Sequence, residues 1–302
     1  FLQKFGVTNN YGEKYDIYLN IFYKPLDVLS GDIYSIRKLD DGSLFIFLAD
    51  SMGKGLSASV TSILTSAHMN HIIDTEKEIV HGPLEGAIRI FNNYIKGILL
   101  EDEILSIIFM KIDFYKETME YASFSSPPIF LKHTDGSTKI IKCNNPPLTK
   151  YMTSVRTDSI DIRDIGGIMA ITDGLYECKN IEGQTMVSYV VDGFKESAMK
   201  TDFHKFVDKY METPEDDISC IHITKVFEDL DHLETITFNA KLSNVGNAIN
   251  WAEETFGKIT DDFETISMLT LAFTEMVMNA FEHSVLELDN RRKYMMINQG
   301  IY

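Results

Sequence analysis

The chain has 302 residues, 44% of them apolar and 24% charged, and its 28 basic against 45 acidic residues leave a formal charge of −17. That balance describes an ordinary globular protein and excludes a general nucleic-acid binder, which would carry a basic footprint, as well as docking on anionic membranes. Three isolated cysteines, Cys143, Cys178 and Cys220, offer neither zinc-type Cys-x-x-Cys spacing nor a disulfide framework, so a reducing, cytoplasmic setting is expected.

No apolar run is long enough to span a bilayer and no signal peptide opens the chain. The first residue is Phe1, so the sequence reads as a piece of a longer protein, with residues 1–15 as a linker or the end of an upstream segment.

In chain order, strands are expected over Ile17 to Tyr23, Asp32 to Leu39 and Leu44 to Ala49, the last two joined by a turn in which Gly42 supplies a positive φ. Helices follow over Leu56 to Ile73 and Pro83 to Leu99, with Pro83 in the first turn. The period then returns to strand in "LSIIFMKID", "TMEYASFS", "PIFLKHTDG" and "TKIIKC", spaced like an antiparallel meander. "GGIMAITDG" is a further buried strand. Two helices are expected between Val187 and Met211, then a strand in "DISCIHITKV".

After Val226 the polar stretch "FEDLDHLE" reads as a linker, which places a domain boundary near residue 228. Beyond it come a strand "TITFNA", a helix from Leu242 to Phe256 and a long amphipathic helix with Asp261 or Asp262 near its N-cap.

Four acidic positions sit at strand ends beside small or turn-forming residues: Asp32 in "SGDIYSI", Asp50 in "LADSMGKG", Asp173 in "ITDGLYE", and Asp216 or Asp217 in "PEDDISC". Asp-Gly and Asp-Ser pairs are common turn formers. Gathered in one place, however, such acids would repel and raise one another's pKa, and a hard divalent cation is the simplest remedy.

The set "FYKPLDVLSGDIYSI", "LFIFLADSMGKGLSAS", "FSSPPIFL", "IMAITDGLYE" and "DDISCIHI", in that order over roughly residues 15–226, resembles the SpoIIE/RsbU-type serine phosphatases of the metal-dependent PPM (protein phosphatase 2C-like) superfamily. The resemblance implies an α+β fold, an α-β-β-α sandwich of two antiparallel sheets flanked by helices, over residues 1–228. It implies two Mn²⁺ or Mg²⁺ ions at one edge of the sandwich. By motif, Asp50 is the bridging carboxylate, Ser51 offers a backbone carbonyl, and Asp32 and Asp173 are further acids of the centre. Asp216 aligns with a ligand and Asp217 with its neighbour. Catalysis would rest on Asp50, Asp173 and Asp32.

Two positions depart from the family pattern: Ser30-Gly31-Asp32 stands where Gly-Gly-Asp is usual, and Ser125-Ser126-Pro127-Pro128 where Gly-His-Pro-Pro is frequent. For the phosphoryl group the only cation in view is Lys24. "SMGKGLSAS" lacks P-loop spacing; Gly53 and Gly55 are read as turning the strand into the next helix, which resembles the helix the family moves to switch activity.

Near the C-terminus, "LAFTEMVMNAFEHS" places Glu275 and Asn279 on one helix face. The neighbourhood resembles the N-box of GHKL-type ATPases, in particular RsbW-like anti-sigma-factor kinases, and that resemblance implies a partial α/β HATPase domain over residues 229–302. Asn279 would hold the Mg²⁺ of ATP and Glu275 would be the base, with His283 structural. The sequence stops short of the D-x-G-x-G segment that grips adenine, which counts against ATP as a cofactor. His68 and His71, three apart on a helix, lack the further ligands zinc needs.

The substrate implied is a phosphorylated STAS-domain anti-anti-sigma protein in partner switching, with a sigma factor as a second candidate partner. No nucleic acid and no direct membrane contact are expected, and a homodimer is one assembly in view. The rival readings are a phosphatase-like scaffold that captures a STAS or sigma-factor partner, and a protein holding both phosphatase and kinase activities.

Overall fold

The structure is a computed structural model and describes residues 2–53, 55–196, 207, 209, 211, 214–227, 244–258, 260 and 262–280. The chain forms two compact units, Phe1–Glu228 and Asp229–Tyr302.

Among the described residues, the first unit holds eleven strands: β1 Leu2–Thr8, β2 Lys14–Lys24, β3 Asp32–Lys38, β4 Leu44–Ser51, β5 Leu105–Asp113, β6 Thr118–Phe124, β7 Ile129–His133, β8 Thr138–Ile141, β9 Asp158–Asp161, β10 Ile165–Ile171 and β11 Ile218–Phe227. Its helices are α1 Leu56–Thr75, α2 Lys77–His81, α3 Leu84–Ile95, α4 Asp173–Tyr176 and α5 Val187–Glu196. One sheet has the order β1-β2-β11-β10-β7-β8, the other β3-β4-β5-β6-β9, and every strand pair is antiparallel.

Alternation along the strands builds three apolar layers. On β4, Leu44, Ile46 and Leu48 meet Ile108, Met110 and Ile112 of β5 and Ile168, Ala170, Ile221 and Ile223 of the other sheet, forming the seam between sheets. Phe45, Phe47 and Ala49 point the opposite way, onto Met69 and Ile72 of α1 and Ile88 and Phe91 of α3. Met169, Ile171, Ile218 and Cys220 pack against Leu175, Val190 and Phe194 of α4 and α5. The result is the expected α-β-β-α order of layers.

The four strands expected as one meander are divided. β5–β6 is a hairpin in one sheet and β7–β8 a hairpin in the other. The crossing falls at Ser125–Pro128, where Ser125 has φ 50 and two successive prolines lack the N–H that would continue the ladder. β1 and the short β9 are not among the strands expected from the sequence, and Pro83 caps α3 rather than lying inside it. Most of the stretch expected to hold a second helix after α5 lies outside the described residues.

The N-terminal half of α1 inverts the usual amphipathic rule, while Met69, Ile72 and Ile73 in its C-terminal half are buried as usual. Ser59, Thr61, Ser62, Thr65 and Ser66 face inward, while Leu56, Val60, Ile63 and Leu64 are exposed. The inward hydroxyls are bonded: Ser62 Oγ donates to the carbonyl of Gly31 and lies 2.6 Å from Ser51 Oγ, and Thr61 Oγ1 donates to Glu103 at 3.0 Å. Lys111, buried on the helix-facing side of β5, donates to the carbonyls of Val80, His81 and Gly82 at 2.8–2.9 Å. It thereby closes the C-terminal end of α2, whose last carbonyls have no partner within the helix.

In the second unit, α6 Val245–Gly257 and α7 Phe263–Ala280 pack against each other. Trp251 and Phe256 of α6 lie about Phe273 of α7, ring centroids 6.3 and 6.4 Å apart. Asp262 caps α7, accepting from Thr265 N at 3.2 Å. The expected strand at 235–240 and His283 lie outside the described residues.

A candidate metal centre at one end of the sandwich

The same alternation that fills the seam with hydrocarbon also decides what closes its two ends. Continuing the inward series by one step gives Asp50 on β4, Ser106 on β5, Asp32 on β3, Thr172 after β10 and Ser219 on β11. Register confirms the grouping: Asp50 stands opposite Asp32 on one side and Ser106 on the other. One end of the core is therefore polar and acidic.

Asp32 ties the two sheets together there. Its Oδ2 accepts from Thr172 Oγ1 and Ser219 Oγ, each at 2.7 Å, and Ser219 N donates to Thr172 Oγ1 at 2.9 Å. Burial pushes the Asp32 carboxyl up to about 8, with Asp50 adding to the rise and the two hydroxyls opposing it. Asp50 is raised to about 7, first by burial and then by Asp173 and Asp216. Asp173 is raised as well, by burial and then by Asp216 and Glu177. Asp50 and Asp173 also interact through a side-chain hydrogen bond, so the two carboxyls titrate as a pair.

Asp173 reaches this cluster because Gly174 follows it. A Cβ on Gly174 would lie 1.9 Å from the carbonyl oxygen of Asp217, so only glycine lets the start of α4 press against the 216–217 backbone. The turn out of β4 has the same need for glycine: Gly55 holds φ 80 at the N-cap of α1.

The two adjacent acids of "EDDIS" divide their work. Asp217 Oδ1 accepts from Leu26 N and Oδ2 from Gly31 N, both at 2.7 Å, so its carboxylate clamps the β2–β3 loop and is occupied by backbone. Asp216 carries its charge toward Asp50 and Asp173 and accepts from Asp217 N at 2.9 Å. Of the two, Asp217 fixes the loop before Asp32, and Asp216 is the one whose charge bears on Asp50 and Asp173. Ser51 N donates to the Gly31 carbonyl at 3.2 Å, which sets the Ser51 peptide beside the cluster.

The donor set suits a hard cation. The opposite end of the same seam makes the contrast: there Glu117, 1% exposed, is neutralised by Lys225 Nζ at 2.5 Å, which sits 4.2 Å from the Tyr15 ring centre. At the acidic end no ion pair to Asp32, Asp50 or Asp173 is present among the described residues. The carboxylates are within reach of one another's charge rather than at ligating distance: among the described residues no three His, Cys, Asp or Glu side chains are arranged to grip one ion.

A model of the Stage II sporulation protein E (SpoIIE) family matches residues 40–225, more than half of the chain. The chain belongs to the SpoIIE family. It is 21% identical over 168 residues to the phosphoserine phosphatase RsbP of Bacillus subtilis (strain 168), covering 53% of this chain and 40% of the relative. With stage II sporulation protein E of Priestia megaterium the identity is 27%, over 52% of this chain and 26% of that protein. The chain thus spans less than half the length of the curated relatives it matches.

Among solved structures, the RsbU and RsbW domains of a Mycobacterium tuberculosis protein superpose with TM-score 0.59 at 18% identity, over 89% of this chain and 78% of that one. RsbX in complex with magnesium gives TM-score 0.55 at 18% identity, over 74% and 100%. The fold is that of the protein phosphatase 2C-like domains.

Sequence reasoning missed Thr172 and Ser219, whose only signal was their place one alternation step beyond the apolar series. Lys24 ends β2 opposite Ile218. His68 stacks on Tyr94 with ring centres 3.5 Å apart, a packing role. In the second unit Glu275 and Asn279 lie on α7 and are both exposed. Among the described residues no helix is long and apolar enough to cross a membrane.

Proposed function

We propose that the first unit, residues 1–228, is a metal-dependent phosphoserine/phosphothreonine protein phosphatase. The observation that carries this reading is the acidic end of the sandwich, where the buried carboxyls of Asp32, Asp50 and Asp173 lie within reach of one another's charge and of Asp216, in a chain of the SpoIIE family. Asp50, Asp173 and Asp216, with the Ser51 carbonyl, would hold two Mg²⁺ or Mn²⁺ ions. Asp32 would orient the centre from the seam, fixed by Thr172 and Ser219. When bound, the ions supply an activated water and neutralise charge on the phosphoryl oxygens. The chain's part is to keep the carboxylates on rigid strand ends and to hold the β2–β3 loop in place through Asp217.

The reading extends to substrate and context by likeness to RsbP and RsbU-type proteins: a phosphorylated STAS-domain anti-anti-sigma protein, in the cytoplasm, within a partner-switching pathway. Residues 229–302 would be the partial HATPase domain of an anti-sigma kinase, with Glu275 and Asn279 toward ATP and Mg²⁺.

Hydrolysis of p-nitrophenyl phosphate with Mn²⁺, with Mg²⁺ and with chelator tests the core of the reading. Turnover that needs metal and falls at least about 10²-fold in both Asp50→Asn and Asp173→Asn supports it. A wild-type protein inert with every metal, on this substrate and on a phosphorylated STAS protein, refutes it.

A further inference from the structure

Beside the acidic centre, between α1 and the β2–β3 loop, lies an open cleft of about 340 Å³. Tyr23, Leu29, Ser30, Tyr34 and Ile63 line it, and Asp32 forms part of its wall. The two tyrosine rings meet edge to face, centroids 5.9 Å apart. At the rim Leu29 and Ile63 are 42% and 56% exposed and Val28 is 94% exposed. Apolar side chains this open to water, around a concave floor, are a common mark of a binding surface.

The cleft is pre-formed. Asp217 holds Leu26 N and Gly31 N at the two ends of the loop that makes one wall, and Ser62 of α1, in the other wall, donates to the Gly31 carbonyl. The ligand therefore meets fixed walls and loses less entropy on ordering them.

We propose that this cleft takes one apolar or aromatic side chain of the phosphoprotein substrate, close in sequence to the phosphorylated residue. The proposal rests on the phosphatase reading above and names the substrate feature that would set specificity. Three observations fix the occupant. Asp32 belongs both to the cleft wall and to the acidic centre, so a chain whose phosphate sits at the centre runs past the cleft. The volume suits a side chain and not a helix or a domain. The lining is aromatic and aliphatic with hydroxyls, and holds no Lys or Arg among the described residues, so an acidic side chain entering it would lose its hydration and gain no counter-charge from the lining.

The test uses phosphoserine peptides identical except for Phe, Gly or Asp at each of the nearer flanking positions, assayed for kcat/KM with Mn²⁺. At one position Phe is expected to exceed Asp by about 10-fold or more. Leu29→Ala and Ile63→Ala should bring that ratio toward one, acting through KM. The same peptides carrying a non-hydrolysable phosphonate in place of phosphate give the ratio from binding alone. Equal use and equal binding of Phe and Asp peptides at every position overturns the proposal, as do variants that lower both peptides by the same factor. A wild type that turns over no phosphomonoester refutes the phosphatase reading instead, and the phosphonate ratio still decides the cleft.

Discussion

Asp32 stands directly opposite Asp50 on neighbouring antiparallel strands, with both side chains turned into the seam between the sheets. Like charges in that relationship oppose folding, and burial adds to the penalty for ionising either one.

The stability of the metal-free protein follows from it. Both carboxyls have folded-state values raised above the ordinary 3.8, to about 8 for Asp32 and about 7 for Asp50. Their stabilising contribution is full below the ordinary value and is lost as pH rises through 7 and then 8. In chelator, Tm should fall across that interval and should fall less in Asp50→Asn. Mn²⁺ competes with the protons and should raise Tm most at the alkaline end. A Tm that is flat or rises with pH in chelator would contradict this account.

Gly174→Ala should be severe although it changes no functional group. Its Cβ would fall 1.9 Å from the Asp217 carbonyl oxygen, and backbone must move to admit it. A loss of about 1–3 kcal/mol or more is expected in urea unfolding, with metal-dependent activity reduced because Asp173 moves with its neighbour. Wild-type stability and turnover in this variant would show that the close approach is not needed.

Asp216→Asn and Asp217→Asn should separate. The second removes an acceptor from one buried backbone N–H, at Leu26 or Gly31, and should cost about 1–3 kcal/mol even in chelator. The first should leave stability in chelator near wild type and weaken activation by Mn²⁺. Metal titrations of turnover beside melts in chelator check both, and the reverse pattern would exchange the roles of the two acids.

The far end of the seam predicts a different response. Lys225→Met strips Glu117 of its closest cation in a site where Glu117 is 1% exposed and should cost about 3–5 kcal/mol. Adding Glu117→Gln should recover part of that loss, because the uncompensated charge is gone. A double variant less stable than Lys225→Met alone would mean that the pair contributes more than charge balance.

The alternation of β4, β5, β10 and β11, the helix over Leu56 onward, and the acids at strand ends were all legible in the sequence, because period and turn chemistry are local properties of the chain. Register was not. That the expected meander splits between two sheets at Ser125–Pro128, that Thr172 and Ser219 bond Asp32 across the seam, and that adjacent Asp216 and Asp217 face different tasks are each set by which strand lies beside which. The inward hydroxyls of α1 make the same point: by composition alone its apolar residues would be placed inside, yet the helix packs its Ser and Thr side chains against the Gly31 and Ser51 edge. Local pattern determined that this protein has strands ending in carboxylates. Only the closing of two sheets over one core decided that those carboxylates share a single buried end, where their mutual repulsion calls for a cation.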